Sequence, residues 1–127
     1  MKIESNWEEM IKYIYFDIEG GEFRVGKNVC FEPFCSILCW HSITIGDDVL
    51  IASGVRIVDF DHDFEGDVHK KGKVAPIVIE KECVLGANSV ILKGVHLGER
   101  CVVGAGAVVT HSFPAHSVIV GNPARLI

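Results

Sequence analysis

From Ile79 onward the aliphatic positions recur every six residues, in IEKECV, LGANSV, ILKGVH, LGERCV, VGAGAV and VTHSFP. Every segment opens on an aliphatic side chain. In the first five the fifth residue is small or β-branched: Cys83, Ser89, Val95, Cys101 and Ala107. The sixth breaks the rule with Phe113. Upstream the same phase holds in IGDDVL, IASGVR and IVDFDH (45–62), and more loosely in VGKNVC, FEPFCS and ILCWHS (25–42), with Ile43 and Thr44 as a two-residue slip. A period of six is neither the alternation of a lone strand nor the 3.6 of a helix. It is the mark of a solenoid built from short strands and turns.

Three such segments make one triangular coil of about eighteen residues, with first and fifth residues pointing inward. The pattern predicts an all-β fold, a parallel β-helix solenoid of four coils at 25–42, 45–62, 79–96 and 97–114. Glycine at the second position (Gly26, Gly46, Gly86, Gly98, Gly104) is expected to permit the bend at each corner. Coils stack at about 4.8 Å, so residues eighteen apart superpose: Cys83 over Cys101, Ser89 over Ala107, Ala87 over Ala105. A stack about 19 Å tall has open ends that need covering. Residues 1–24 are expected to cap one of them. Ser5 and Glu8 are spaced as a capping box, and Trp7, Met10, Ile11 and Ile14 recur as on a short amphipathic helix.

Residues 63–78, DFEGDVHKKGKVAPIV, carry no apolar period and read as a loop ejected from one corner, with 115–127 as a C-terminal tail. The whole of 1–127 then forms a single domain. Its charge, twelve Lys plus Arg against seventeen Asp plus Glu, supplies no basic field for nucleic acid or anionic lipid. The start MKIESNWEEM has no signal-peptide pattern and no apolar run is long enough to insert in a membrane, so a cytoplasmic protein is expected. Five cysteines without a C-x-x-C spacing argue for reduced thiols.

The hexapeptides, the histidine of VDFDHDFE at the root of the loop, the segment VLGANSVILKGVHLGERCVVGAGAVVT and the ending GNPARLI together resemble the left-handed β-helix acyltransferases, in particular their galactoside, maltose and polysaccharide O-acetyltransferase branch. The resemblance covers residues 25–127. It implies a left-handed coil, a homotrimer, acetyl-coenzyme A as co-substrate in the cleft between subunits, and a small-molecule acceptor such as a sugar or glycan precursor. Its function would be acetyl-CoA-dependent O-acetylation by direct transfer.

Acyl transfer from a thioester to a hydroxyl needs a base that titrates near neutrality, the ordinary province of histidine. His62 matches the family's catalytic base by motif position; without that context a lone loop histidine reads more simply as a solvated side chain. Asp59, Asp61 and Asp63 are each candidates to orient its ring, and Asp59 and Asp61, with Glu32, are candidates for the acceptor site. By resemblance, Ala87 and Ala105 lie where small residues admit the pantetheine arm, Thr110 and His111 where the far part of the arm passes, and Arg125 where coenzyme A phosphates bind. Two departures bear on the acceptor: Val84 stands where sugar acetyltransferases commonly carry tryptophan, and Glu32 where the galactoside branch has asparagine. An amine acceptor on a nucleotide-linked sugar, a xenobiotic or serine is the alternative. A zinc carbonic anhydrase or a non-catalytic solenoid is a more distant one. His111 and His116 supply two imidazoles where a catalytic zinc needs three protein ligands, and no metal is expected.

Overall fold

The computed structural model describes residues 2–3 and 11–127, and over them the chain is a parallel β-solenoid with three faces. The first face stacks Glu22–Val25, Ser42–Ile45, Ile77–Ile79 and His96–Leu97, continued by a parallel bridge from Leu97 to Phe113. The second stacks Cys30–Phe31, Leu50–Ile51, Val84–Leu85, Val102–Val103 and Val118–Val120. Tyr15–Asp17, Ser36–Leu38, Arg56–Val58, Val90–Ile91 and Val108–Val109 form the third. Lys2–Ile3 pairs with Arg24–Val25.

The eighteen-residue ladders appear in the register: Val84 opposes Val102, Leu85 opposes Val103, and Ile91 opposes Val109. Backbone N–H groups donate from coil to coil, as in Leu50 to Cys83 O (3.0 Å) and Val84 to Cys101 O (2.9 Å). Inside, the first-position side chains Ile45, Ile51, Ile57, Ile79, Leu85, Ile91 and Leu97 are buried, and fifth-position Val49, Val55, Cys83, Ser89 and Cys101 fill the corners between them. Removing such aliphatic side chains from water is the main favourable term, about 2 kcal/mol apiece. All five thiols are free.

The stack has about five turns rather than four. Tyr15–Asp17 and Glu22–Val25, assigned above to the cap, pair with Ser36–Leu38 and Ser42–Ile45 as part of the coil. At the other end Phe113 opens a further hexapeptide, whose Val118–Val120 pairs with Val102–Val103. Only Arg125–Leu126 folds back as a tail, antiparallel to Val118–Val120. The capping box and the helical spacing of Trp7 and Met10 lie outside the described residues. Ile11–Tyr13 forms a single 3-10 turn, and Ile14 is buried against the core.

The corner geometry also differs from expectation. The left-handed backbone falls at the fourth position of ten repeats: Asn28, Phe34, Asp48, Gly54, Glu82, Asn88, Gly94, Arg100, Gly106 and His116 all have φ between 55° and 81°, whereas Trp40, Phe60 and Ser112 at the same position do not. Second-position glycines serve closeness instead. A β-carbon on Gly86 would lie 2.6 Å from the Ala105 nitrogen, and one on Gly46 2.7 Å from that of Lys81. They are small because the next coil's backbone lies against them.

Candidate active site

The chain leaves the third face after Val58 and rejoins the first at Ile77. This excursion is more ordered than its composition suggests. Phe60–His62 pairs antiparallel with Lys71–Val74, in a register that sets His62 opposite Lys71 and Phe60 opposite Val74. His62 therefore stands on a strand of a hairpin whose connecting loop is 63–70. A β-carbon on Gly72 would come within 2.5 Å of both Asp61 Oδ1 and the His62 carbonyl oxygen, so that strand can lie this close only with glycine there.

The three aspartates around His62 have separate structural tasks. Asp59 is fully buried, and its carboxylate accepts from the backbone N–H groups of Trp40, His41 and Ser42, each at 2.8 Å. Those bonds hold the preceding corner, the site of the two-residue slip. Asp61 accepts from the Lys73 N–H (2.8 Å) and pairs with Lys93 Nζ at 3.1 Å. That amide and the Lys93 ammonium hold its carboxyl below the usual carboxylate range. Asp63 accepts from the N–H groups of Glu65 (3.2 Å) and Gly66 (2.9 Å), closing the turn that follows. None of these contacts involves the imidazole of His62; the aspartates fix the backbone that carries it.

His62 is exposed and borders two cavities. One, about 380 Å³, is charged, lined by Asp61, Asp63, Glu65, Lys73 and Lys93 beside Phe64. The other, about 410 Å³, is apolar and aromatic, lined by Leu38, Trp40, Val58, Phe60, Val90 and Leu92 with Arg56 among them. Trp40 and Phe60 stack in parallel, ring centres 3.5 Å apart and planes within 1°, and the His62 ring stands edge-on to Phe60 at 6.2 Å. The indole N–H reaches Asp17 Oδ2 at 3.4 Å. An imidazole at the junction of a polar and an apolar recess can take a proton from a group held in either.

Other predicted residues are distributed around the coil. Thr110 and His111 share the corner of His62, one coil beyond Leu92 and Lys93: Leu92 N–H donates to Val109 O, and Ser112 Oγ to Gly94 O. Ala87 and Ala105 stack at a different corner, joined by the Gly106 N–H bond to Ala87 O. Glu32 lies exposed at that same corner, two coils above Ala87, its N–H on Ile51 O. Arg125 opposes Val120 at the far end of the second face, exposed. Within one chain, then, Asp59, Asp61, Thr110 and His111 fall on the corner of His62, whereas Glu32, Ala87, Ala105 and Arg125 do not. Asp59 is spent on backbone amides, so it belongs to the scaffold of the site and has no carboxylate oxygen open to an acceptor. Among the described residues no three His, Cys, Asp or Glu side chains converge as metal ligands. Two site features escaped the sequence reading, the Trp40–Phe60 stack and the Lys93 pair with Asp61. Alternation of Val58, Asp59 and Phe60 at the end of a repeat was the available signal for the first.

Fold and site together define a hexapeptide-repeat β-helix with an exposed histidine on a hairpin ejected from one corner. Residues 76–111 match the family model described as the hexapeptide repeat of succinyl-transferase. The galactoside O-acetyltransferase of Escherichia coli is 32% identical over 126 residues, 98% of this chain and 61% of the relative. A 2,3,4,5-tetrahydropyridine-2,6-dicarboxylate N-acetyltransferase of Enterococcus faecalis is 58% identical over 53 residues, 42% of this chain and 23% of that protein. Among solved structures, a hexapeptide-repeat acetyltransferase of Vibrio cholerae complexed with acetyl coenzyme A superposes with a TM-score of 0.80 at 33% identity, over 88% of this chain and 63% of the other. The chain carries the hexapeptide repeat and is similar in sequence and fold to hexapeptide-repeat acetyltransferases, whose coil is a left-handed β-helix. It spans about three fifths of the length of the full-length curated relatives it matches.

Proposed function

We propose that this protein transfers an acetyl group from acetyl-coenzyme A to a sugar hydroxyl, with His62 as general base. The observation that carries the reading is the placement of His62: exposed, on a braced hairpin, at the junction of two recesses. The imidazole takes the proton of the acceptor hydroxyl as its oxygen attacks the thioester carbonyl. The carbon–sulfur bond then breaks, and the coenzyme A thiolate leaves and recovers the proton. A base of this kind contributes about 10²–10⁴-fold.

A homotrimer completes the site in this reading. Ala87, Ala105 and Arg125 lie away from the corner of His62, so a donor bound along them meets His62 only across a boundary between copies. Ala87 and Ala105 present a small-residue ledge to the pantetheine arm. Arg125 supplies a guanidinium for phosphate, with Thr110 and His111 flanking the arm on the His62 side. Asp61 contributes by holding the hairpin. The whole of 1–127 acts as one domain, and no metal takes part.

The test is release of free coenzyme A thiol with a panel of acceptors. His62→Ala is expected to lower turnover by at least a hundredfold while acetyl-CoA binding, measured by calorimetry, stays within a few-fold. Turnover within a few-fold of wild type would sink the assignment of the base. One observation favours a second reading, transfer to an amine: the strong local identity to a tetrahydropyridine-dicarboxylate N-acetyltransferase. Amino-sugar acceptors in the same panel separate the two.

A further inference from the structure

The apolar recess beside His62 contains one residue out of keeping with the rest. Arg56 sits on the outer side of the third face, with Ser36 and Val90 as its neighbours in register. Around it are Leu38, Val58, Val90 and Leu92 and the stacked rings of Trp40 and Phe60. Among the described residues no carboxylate forms an ion pair with Arg56, whereas Arg24 is paired with Glu22 and Arg100 with Glu82. Arg56 is exposed, and its guanidinium borders this apolar, aromatic wall with no carboxylate among the described residues to balance its charge. Such an arrangement favours an anion, and the planar fork suits carboxylate or phosphate oxygens. The Trp40–Phe60 stack offers an aromatic surface to the body of whatever carries that anion.

We infer that this recess is the acceptor subsite for an anionic sugar, its carboxylate or phosphate bound by Arg56 and its ring laid against Trp40 and Phe60. The inference rests on the acetyl-transfer reading only for the identity of the site; it adds the charge of the acceptor. His62 borders the same recess, so a hydroxyl of a sugar anchored there lies on the side of the base. The geometry also gives Arg56 a specific role: it selects among acceptors and takes no proton.

Two measurements on the intact protein test this. Saturation-transfer NMR compares binding of methyl β-glucuronide and glucose 6-phosphate with that of methyl β-glucoside, in wild type, Arg56→Gln and Trp40→Leu. Thiol release gives kcat and KM for the same acceptors. The expected result is that one or both anionic sugars bind and the neutral glycoside binds about ten- to a hundredfold more weakly, the range a charge-assisted hydrogen bond confers. Arg56→Gln should bring that ratio close to one, acting on KM more than kcat, and rising salt should weaken the anionic ligands alone. The uronide and the phosphate arms show which anion is preferred. Equal binding of charged and neutral sugars by wild type overturns the inference, as does an unchanged ratio in Arg56→Gln. A fall in native mass of Arg56→Gln by light scattering also overturns it, because Arg56 then pairs with a neighbouring copy. Charge-selective binding without thiol release leaves this inference standing and defeats the transfer reading, whereas thiol release without charge preference does the reverse.

Discussion

Asp59 illustrates how one side chain can position a site without joining its chemistry. Its buried carboxylate gathers three consecutive amides at 2.8 Å, those of Trp40, His41 and Ser42, where the chain makes its irregular turn onto the first face. Asp59→Ala would leave three amides with no acceptor and a charge-assisted set of bonds lost. Hydrogen bonds to charged groups contribute about 2 kcal/mol each and are not additive, so a loss of about 3 kcal/mol is expected. Asp59→Asn keeps one acceptor oxygen and should cost less. Urea midpoints of the three proteins check the order, and a loss below about 1 kcal/mol for the alanine variant would contradict it. The sequence could nominate Asp59, Asp61 and Asp63 equally because all three flank His62. Burial separates them, and burial depends on where the third face ends, which no local pattern states.

At the scale of elements, the hairpin of Phe60–His62 and Lys71–Val74 decides how firmly His62 is held. Its latch is Asp61, bound to the Lys73 N–H and the Lys93 ammonium, the latter on the next coil. Both contacts favour the ionised carboxyl, so its pKa in the folded protein lies below the ordinary value. The sign follows: the latch is fully in place above the ordinary carboxylate pKa and is lost as pH falls through the lowered, folded one. Protection of the Lys73 amide against hydrogen exchange should therefore persist into moderately acid solution in wild type and be weak at every pH in Asp61→Asn. Trypsin at Lys70 and Lys71 should likewise cut the variant several-fold faster. Equal protection in the two proteins would show that strand pairing alone holds the hairpin.

The same element shows which parts of the fold were readable. First and fifth positions repeat because their side chains are buried, so their phase survives in the sequence, and the coil 79–109 followed directly from it. The hairpin was hidden because Gly72, Lys73 and Val74 face solvent or a charged recess and so carry no apolar period. The fifth turn was hidden by a shortened corner: Phe113 follows Val109 after three residues, and the six-residue count passes over it. The column of left-handed corners was half visible in Asn28, Asp48, Gly54, Asn88, Gly94 and Gly106, residue types that tolerate positive φ. Phe34, Glu82 and Arg100 at the same position obscured it, since the coil imposes that backbone on residues with no preference for it.

For the whole molecule, the outer surfaces of the three faces are unlike one another. The first presents Glu22, Arg24, Ser42, Thr44 and His96. The second presents Cys30, Leu50, Val84, Val102 and Val118, of which Leu50, Val102 and Val118 are each about 40% exposed. The third adds Leu38, Val90 and Val108. The proposed ring of three copies needs two different surfaces on each, meeting head to tail; here the first face is polar, the second apolar, and the third mixes those aliphatic residues with Ser36 and Arg56. If the second face meets a neighbour, Leu50→Glu combined with Val102→Glu places charge in that contact. Light scattering should then fall from three times the 13.9 kDa chain to one, with the β-sheet circular dichroism kept and thiol release lost. Thr44→Glu on the polar face should leave the mass unchanged. Cysteine alkylation at pH 8 gives an independent readout. Cys30 lies exposed on the second face of a single chain, so it should be shielded from iodoacetamide in the assembled wild type and react in the double variant. Burial lifts the thiols of Cys39 and Cys83 to about 11, so both stay protonated and unmodified in either protein until it unfolds. Rapid labelling of Cys30 in a wild-type particle of trimeric mass would place the contact on another face.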